Sequence, residues 1–128
     1  MFVDTLGLLL RVVVTAASLS DQAGARQIFK QMCGTCKKLR KVWVDGTYRG
    51  AEWTAWVKEK YHLVLESVVH AEGQKGFAVL PHRWVVERTL AWLNQSRRLS
   101  KDDEELPTTS ETFVYVAMTR LMLKRLAA

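Results

Sequence analysis

Hydrophobic positions recur at helical spacing over two long stretches of the chain. The first runs Leu80-Pro81-His82-Arg83-Trp84-Val85-Val86-Glu87-Arg88-Thr89-Leu90-Ala91-Trp92-Leu93-Asn94-Gln95-Ser96-Arg97-Arg98. At about 100° per residue, Val85, Val86, Thr89, Leu90, Trp92 and Leu93 fill one broad apolar arc. Pro81 suits the first turn, where its missing N–H costs nothing. Arg83, Glu87, Asn94 and Arg98 fall in a narrow stripe just beyond the arc's edge. The second stretch predicts a helix over 109–126, with Phe113, Val114, Val116, Ala117, Leu121 and Leu123 leaving it mostly buried. Before it, Thr108-Thr109-Ser110-Glu111 has the S/T-x-x-E form of a capping box. Arg120, Lys124 and Arg125 give the helix a basic end that suits its dipole.

Elsewhere the pattern is shorter. The β-branched, apolar opening predicts two strands joined by a turn near 4–7. Residues 16–20 read as a loop, and Asp21 is the expected N-cap of a helix reaching about Met32. Val42-Trp43-Val44 is a short apolar strand ending in Asp45, followed by a glycine turn and a helix to about Lys60. Residues 62–69 alternate enough for another strand, and 73–76 form a loop. Lys101-Asp102-Asp103-Glu104-Glu105 reads as a charged, solvated loop rather than a metal cage.

Composition sharpens this to one domain of 128 residues, 48% hydrophobic, without a disordered or repetitive tract. Nineteen basic residues against 13 acidic give a net charge of +6, which favours a polyanionic partner, nucleic acid first. The cations cluster: Arg26, Lys30, Lys37, Lys38, Arg40, Lys41 and Arg49 face a single acid, Asp45, within residues 26–49. The first residues resemble a signal peptide only superficially. They lack a basic start and carry Asp4 and Arg11. No stretch reaches the roughly 18 uncharged apolar residues of a membrane span. A soluble, cytoplasmic protein with no membrane partner is expected.

Three features carry chemistry. Cys33-Gly34-Thr35-Cys36 could be half a zinc site or a redox pair, but no second pair follows and His62, His70 and His82 lack ligand spacing, so two reduced cysteines in a helix-to-strand loop are expected. Asp45 stands at the carboxyl end of a strand, where ligands of sheet-and-helix folds collect, but it is equally suited to form a turn. Glu87 is a lone acid among Arg83, Asn94 and Arg98. An ion pair with Arg83 would have the weaker i,i+4 orientation, so helix stability explains it poorly. A carboxylate aimed at a metal, with arginines for phosphate, is the sharper reading.

Two blocks in order, Val42-Trp43-Val44-Asp45-Gly46-Thr47-Tyr48-Arg49-Gly50 and Leu80-Pro81-His82-Arg83-Trp84-Val85-Val86-Glu87-Arg88-Thr89, resemble blocks of bacterial insertion-sequence transposases of the DDE class. The group is that called insertion sequence four/five. Val3-Asp4-Thr5-Leu6-Gly7 and Arg97-Arg98-Leu99-Ser100-Lys101-Asp102 are also similar to it. The resemblance implies a ribonuclease-H-like mixed α/β sheet flanked by helices. It also implies two aspartates and a glutamate holding two Mg²⁺ ions about 3.5–4 Å apart for in-line phosphoryl transfer. Hard cations take carboxylate oxygens, which is why acids carry such a site. By motif, Asp45 matches the second aspartate, Glu87 the glutamate, and Arg83 the arginine linked to the DNA end. Asp45 and Glu87 are therefore expected to approach within about 10 Å. Arg49, Asn94, Arg97 and Arg98 are the further expected contacts to double-stranded insertion-sequence ends. The chain departs from the family at Leu80, where a tyrosine is usual, and at Asn94, where a lysine is.

The family's first aspartate precedes the segment that Val3-Asp4-Thr5-Leu6-Gly7 resembles, and Asp4 aligns with a turn residue rather than with a ligand. Residues 1–128 are thus expected to be the C-terminal part of a catalytic domain lacking its first, central strand and first carboxylate. Such a chain would be weak or inactive in strand cleavage. Without the central strand, either the opening hairpin closes onto the Asp45 strand or two edges stay unpaired, inviting self-association or pairing with a full-length transposase. The alternative function is a non-catalytic DNA-binding or interaction fragment that interferes with such a transposase. An unrelated basic fold is the third.

Overall fold

The computed structural model describes residues 1–32, 35–48, 50–68, 82–101 and 103–128, with Arg83 described by its backbone alone. In chain order these form β1 (Phe2–Val3), β2 (Leu9–Arg11), α1 (Asp21–Met32), β3 (Lys41–Val44), a 3-10 turn (Gly46–Tyr48), α2 (Ala51–Tyr61), β4 (Val64–Ser67), α3 (Arg83–Asn94), a second 3-10 turn (Arg97–Leu99) and α4 (Pro107–Leu126). The fold is mixed α/β with two separate two-stranded sheets, β1–β2 and β3–β4. Two compact units result, Met1–Ile28 with Val85–Ala128, and Phe29–Trp84. The expected loop at 73–76 and the start of the central helix at Leu80 and Pro81 lie outside the described residues.

In the first unit β1 and β2 pair antiparallel, Phe2 opposite Arg11 and Val3 opposite Leu9, with an irregularity between them. Asp4 makes the turn. Its Oδ1 accepts from the N–H groups of Leu6 at 2.9 Å and Leu8 at 2.8 Å, the Asx-turn chemistry of a short acid. Gly7 takes φ +78, and a Cβ built there would meet Thr89 Oγ1 at 2.9 Å and the Trp92 ring at 3.1 Å. Thr89 Oγ1 lies 2.7 Å from Gly7 O and 2.9 Å from Val85 O, sharing its one proton between them. Arg88 Nη2 donates to Leu6 O at 2.8 Å. The turn is thereby fastened to α3.

Leu9, Val12, Leu93 and Met118 form the core of this unit, with Met1, Val3, Leu8, Leu99, Val114, Tyr115, Ala117 and Leu121 packed against it. Beyond β2 the chain has no strand beside it among the described residues, and α4 side chains satisfy its donors instead. Val12 N–H donates to Tyr115 Oη at 3.2 Å and Val14 N–H to Glu111 Oε1 at 2.9 Å. Glu111 therefore does not close a capping box. α4 begins at Pro107 with Leu106 at the N-cap and no side-chain cap. Proline at N1 presets the first turn and forfeits only a donor that has no partner in the helix.

Two expected faces are corrected. On α3, Val85, Thr89 and Leu93 are buried, but Val86 and Leu90 are 41% and 45% exposed. The buried residues climb at intervals of four, whereas Val86 and Leu90 lie about 100° around the helix from Val85 and Thr89. On α4, Met118 is 2% exposed, while Val116 and Leu123 are each 60% exposed. Those two share a stripe turned away from that of Val114, Met118 and Leu121, so α4 is not mostly buried. α1 reaches Met32 as expected, but Asp21 is its first residue rather than its N-cap, and Ser20 performs the capping: its Oγ accepts from Ala23 N–H at 3.3 Å.

In the second unit β3 and β4 run parallel in the register Lys41–Val64, Val42–Leu65, Trp43–Glu66 and Val44–Ser67. A parallel pair needs a crossover, and α2 supplies it. Val57, Trp53 and Val42 are buried at 0%, 4% and 4% exposure. Phe29 stacks on Tyr61 with centroids 5.6 Å apart, and Trp53 on Trp56 at 5.1 Å. Such aromatic pairs are worth about 0.5–1.5 kcal/mol each beyond area burial. His62 closes α2 in the left-handed region, φ 56, its N–H donating to Lys58 O, and so turns the chain into β4.

Candidate metal-carboxylate site

Asp45 leaves β3 at its carboxyl end, where the apolar run Val42–Val44 gives out and the 3-10 turn begins. Its Oδ1 accepts from Thr47 N–H at 2.8 Å, and Tyr48 N–H donates to Asp45 O at 3.2 Å. The turn-forming role is thus real, yet it occupies one carboxylate oxygen and leaves the side chain exposed. Around the strand, Lys41 pairs with Glu66 and lies over the Trp43 ring at 5.5 Å. The His82 ring stacks on Trp43, centroids 4.3 Å apart and 22° between planes. His82 holds φ 66, a conformation uncommon outside glycine. Its place against Trp43 has no sequence signal, because no one-dimensional pattern marks a left-handed histidine.

Glu87 stands exposed on the second turn of α3. Asp45 belongs to the unit Phe29–Trp84 and Glu87 to the other. Among the described residues no group of three or more His, Cys, Asp or Glu is placed to hold a metal ion. By donor chemistry both acids suit a hard divalent cation: each is an exposed carboxylate, the ligand type Mg²⁺ takes. Asp4, the other strand-end aspartate, is committed to its turn through two N–H bonds. Cys36 is half-buried with a free thiol, and Cys33 lies outside the described residues.

The expected DNA-contacting residues are distributed over α3 and the 3-10 turn after it. Arg83 opens α3, and its side chain, like all of Arg49, lies outside the described residues. Asn94 is exposed at the last position of α3. The helix stops there, with Gln95 N–H and Ser96 N–H donating to Trp92 O and Leu93 O, so Arg98 does not continue the Arg83–Glu87–Asn94 stripe. Arg97 and Arg98 lie in the 3-10 turn, where Arg98 pairs with Glu104 at 2.5 Å and covers the Phe113 ring at 4.9 Å. Sequence reasoning missed a further basic-aromatic stack, Trp92 with Arg88 at 4.8 Å and Arg125 at 4.1 Å. Arg125 lies 33 residues from Trp92, too far along the chain for helical spacing to link them.

No described helix is long and apolar enough to cross a membrane. No curated protein and no solved structure matches the chain. A family model described as transposase DDE domain matches residues 42–124, from the strand that ends in Asp45 through α3 and most of α4. That match takes in well over half of the sequence, and the chain belongs to the transposase DDE domain family.

Proposed function

We propose that this chain is a DNA-binding transposase catalytic domain of the insertion-sequence four/five group, with Asp45 and Glu87 as two of its metal carboxylates. The family match over residues 42–124 carries the reading, because it spans both motif acids in order. Asp45 and Glu87 would hold Mg²⁺, which would supply charge stabilisation at the attacking and leaving oxygens of a phosphoryl transfer. The chain's own part is to bind and orient the insertion-sequence end. Arg83 and Arg49 neutralise phosphates, Arg97 extends the contact, and Asn94 offers an amide where the family places a lysine. Arg98 contributes its guanidinium edge beside Glu104.

Asp4 is a poor third ligand, because its Oδ1 serves two backbone donors, and weak strand cleavage is expected with the other two carboxylates alone. The same observation favours a second reading, a non-catalytic fragment that occupies DNA ends or pairs with a full-length transposase through its short sheets. The ribonuclease-H-like layout is consistent with the β3–α2–β4 crossover, and self-association with the small size of both sheets.

The test is paired. Binding to duplex carrying insertion-sequence ends should weaken with salt at a log–log slope of roughly −0.9 per phosphate neutralised. Nicking of the same duplex with Mg²⁺ or Mn²⁺ should be near background. Binding without salt dependence would remove the electrostatic basis, and robust nicking lost in Asp4→Ala would make Asp4 a ligand.

A further inference from the structure

At the amino-terminal end of the β3–β4 pair, away from Asp45, the second unit has a cavity of about 290 Å³. Phe29, Met32 and Leu63 form a buried apolar floor. Tyr61 adds a ring stacked on Phe29, and Lys37 and Arg40 stand at the mouth. Among the described residues no acid lines the cavity. Arg40 is oriented: its Nη1 donates to the carbonyls of Lys37 and Leu39 at 3.2 Å each, leaving the outer edge of the guanidinium for another acceptor. Lys38, exposed two positions before it, extends anion attraction along the approach.

We propose that this cavity receives one unstacked base of single-stranded or locally opened DNA, with Lys37 and Arg40 on the flanking phosphate. The proposal rests on DNA being the partner, and it adds a contact separate from the carboxylates. Three properties choose this occupant. The size lies at the small end of ligand pockets, which run from about 300 Å³. The lining includes the half-buried Tyr61 ring, an aromatic platform of the kind on which bases of any sequence stack. The mouth is cationic, as a backbone phosphate requires. An apolar peptide would leave both cations unmatched, and a bare phosphate would leave the floor uncovered.

Cys36 lines the cavity and reports on it. In the Cys33→Ser chain Cys36 is the sole thiol, and its rate of reaction with a soluble disulfide reagent measures access. A twelve-residue oligothymidylate should slow that reaction and bind about tenfold more tightly than an abasic oligonucleotide of equal length and charge, as base–aromatic stacking predicts. The abasic strand should leave Cys36 reactive. Arg40→Ala, at the mouth, should weaken both strands and keep the preference for bases. Equal affinity for the two strands, or no protection of Cys36 by either, overturns the proposal. If duplex still binds in that case, DNA remains the partner through other residues. If neither strand nor duplex binds, the DNA reading falls as well. Protection by an acidic peptide and not by oligothymidylate would assign the cavity to a protein partner and also overturn it.

Discussion

Asp4 and Asp45 each follow a short strand, and each turns its Oδ1 back on the main chain, yet the two turns are built for different ends. Asp4 accepts from two N–H groups, is half-buried, and sits in a turn bolted to α3 through Gly7, Thr89 and Arg88. Among the described residues Asp45 accepts from one, is exposed, and leads into a 3-10 turn that is exposed at Thr47. The same residue type at the same kind of position is structural in the first case and open to a ligand in the second. What separates them is how much of the carboxylate the fold consumes. A strand-end acid is therefore weak grounds for a metal site until its hydrogen bonds are counted.

The contrast should break most visibly at glycine. Gly7→Ala adds a methyl 2.9 Å from Thr89 Oγ1 in a left-handed residue, whereas Gly50, at φ +154, has nothing within 4 Å of its Cβ position. Gly7→Ala is expected to cost about 3 kcal/mol, from backbone strain and overpacking together. Gly50→Ala should cost about 1–2 kcal/mol, from strain alone. Urea unfolding of both variants checks the order, and equal losses would mean that the α3 contact does not tighten the first turn.

Replacing the aspartates sharpens the same point. Asp4→Ala removes the acceptor of two N–H groups and should lower stability by about 1–2 kcal/mol. Asp45→Ala, exposed and bonded once, should stay within about 0.5 kcal/mol of the parent. A larger loss for Asp45 than for Asp4 would reverse the assignment. An effect between these two is expected on the far side of the hairpin. Tyr115→Phe leaves the Val12 N–H without its acceptor and should cost about 1 kcal/mol. Faster amide exchange at Val12, with Leu9 unchanged, would locate the loss at that bond.

Much of this layout was legible in the sequence. The hairpin about Asp4–Gly7, α1, the Val42–Val44 strand, α2 and the strand after His62 come from period and turn chemistry, because each depends on neighbours within a few residues. What stayed hidden depends on distant partners. Nothing near Glu111 announces that it will serve Val14, 97 residues away in sequence, in place of a helix cap. Thr89 reads as one more position in an apolar arc, though its hydroxyl joins α3 to the carbonyl of Gly7. The exposure of Val86, Leu90, Val116 and Leu123 was equally out of reach. Periodicity says which residues share a face, but tertiary packing decides how wide a face is covered. For the site, the motif blocks named Asp45 and Glu87, while the stack of His82 on Trp43 depends on a left-handed residue 39 positions from its partner.

The central claim is that Asp45 and Glu87 act on one metal and Asp4 does not. It is tested most directly by titrating Mn²⁺ into the parent chain, Asp45→Ala, Glu87→Ala and Asp4→Ala, following the electron paramagnetic resonance of the free ion. The account predicts weak binding by the parent, reduced about tenfold or more in both Asp45→Ala and Glu87→Ala, as for removal of one ligand from a shared carboxylate site. Asp4→Ala should bind as the parent does despite its lower stability. Parent-like binding in Asp45→Ala or Glu87→Ala, or loss confined to a folded Asp4→Ala, would contradict it.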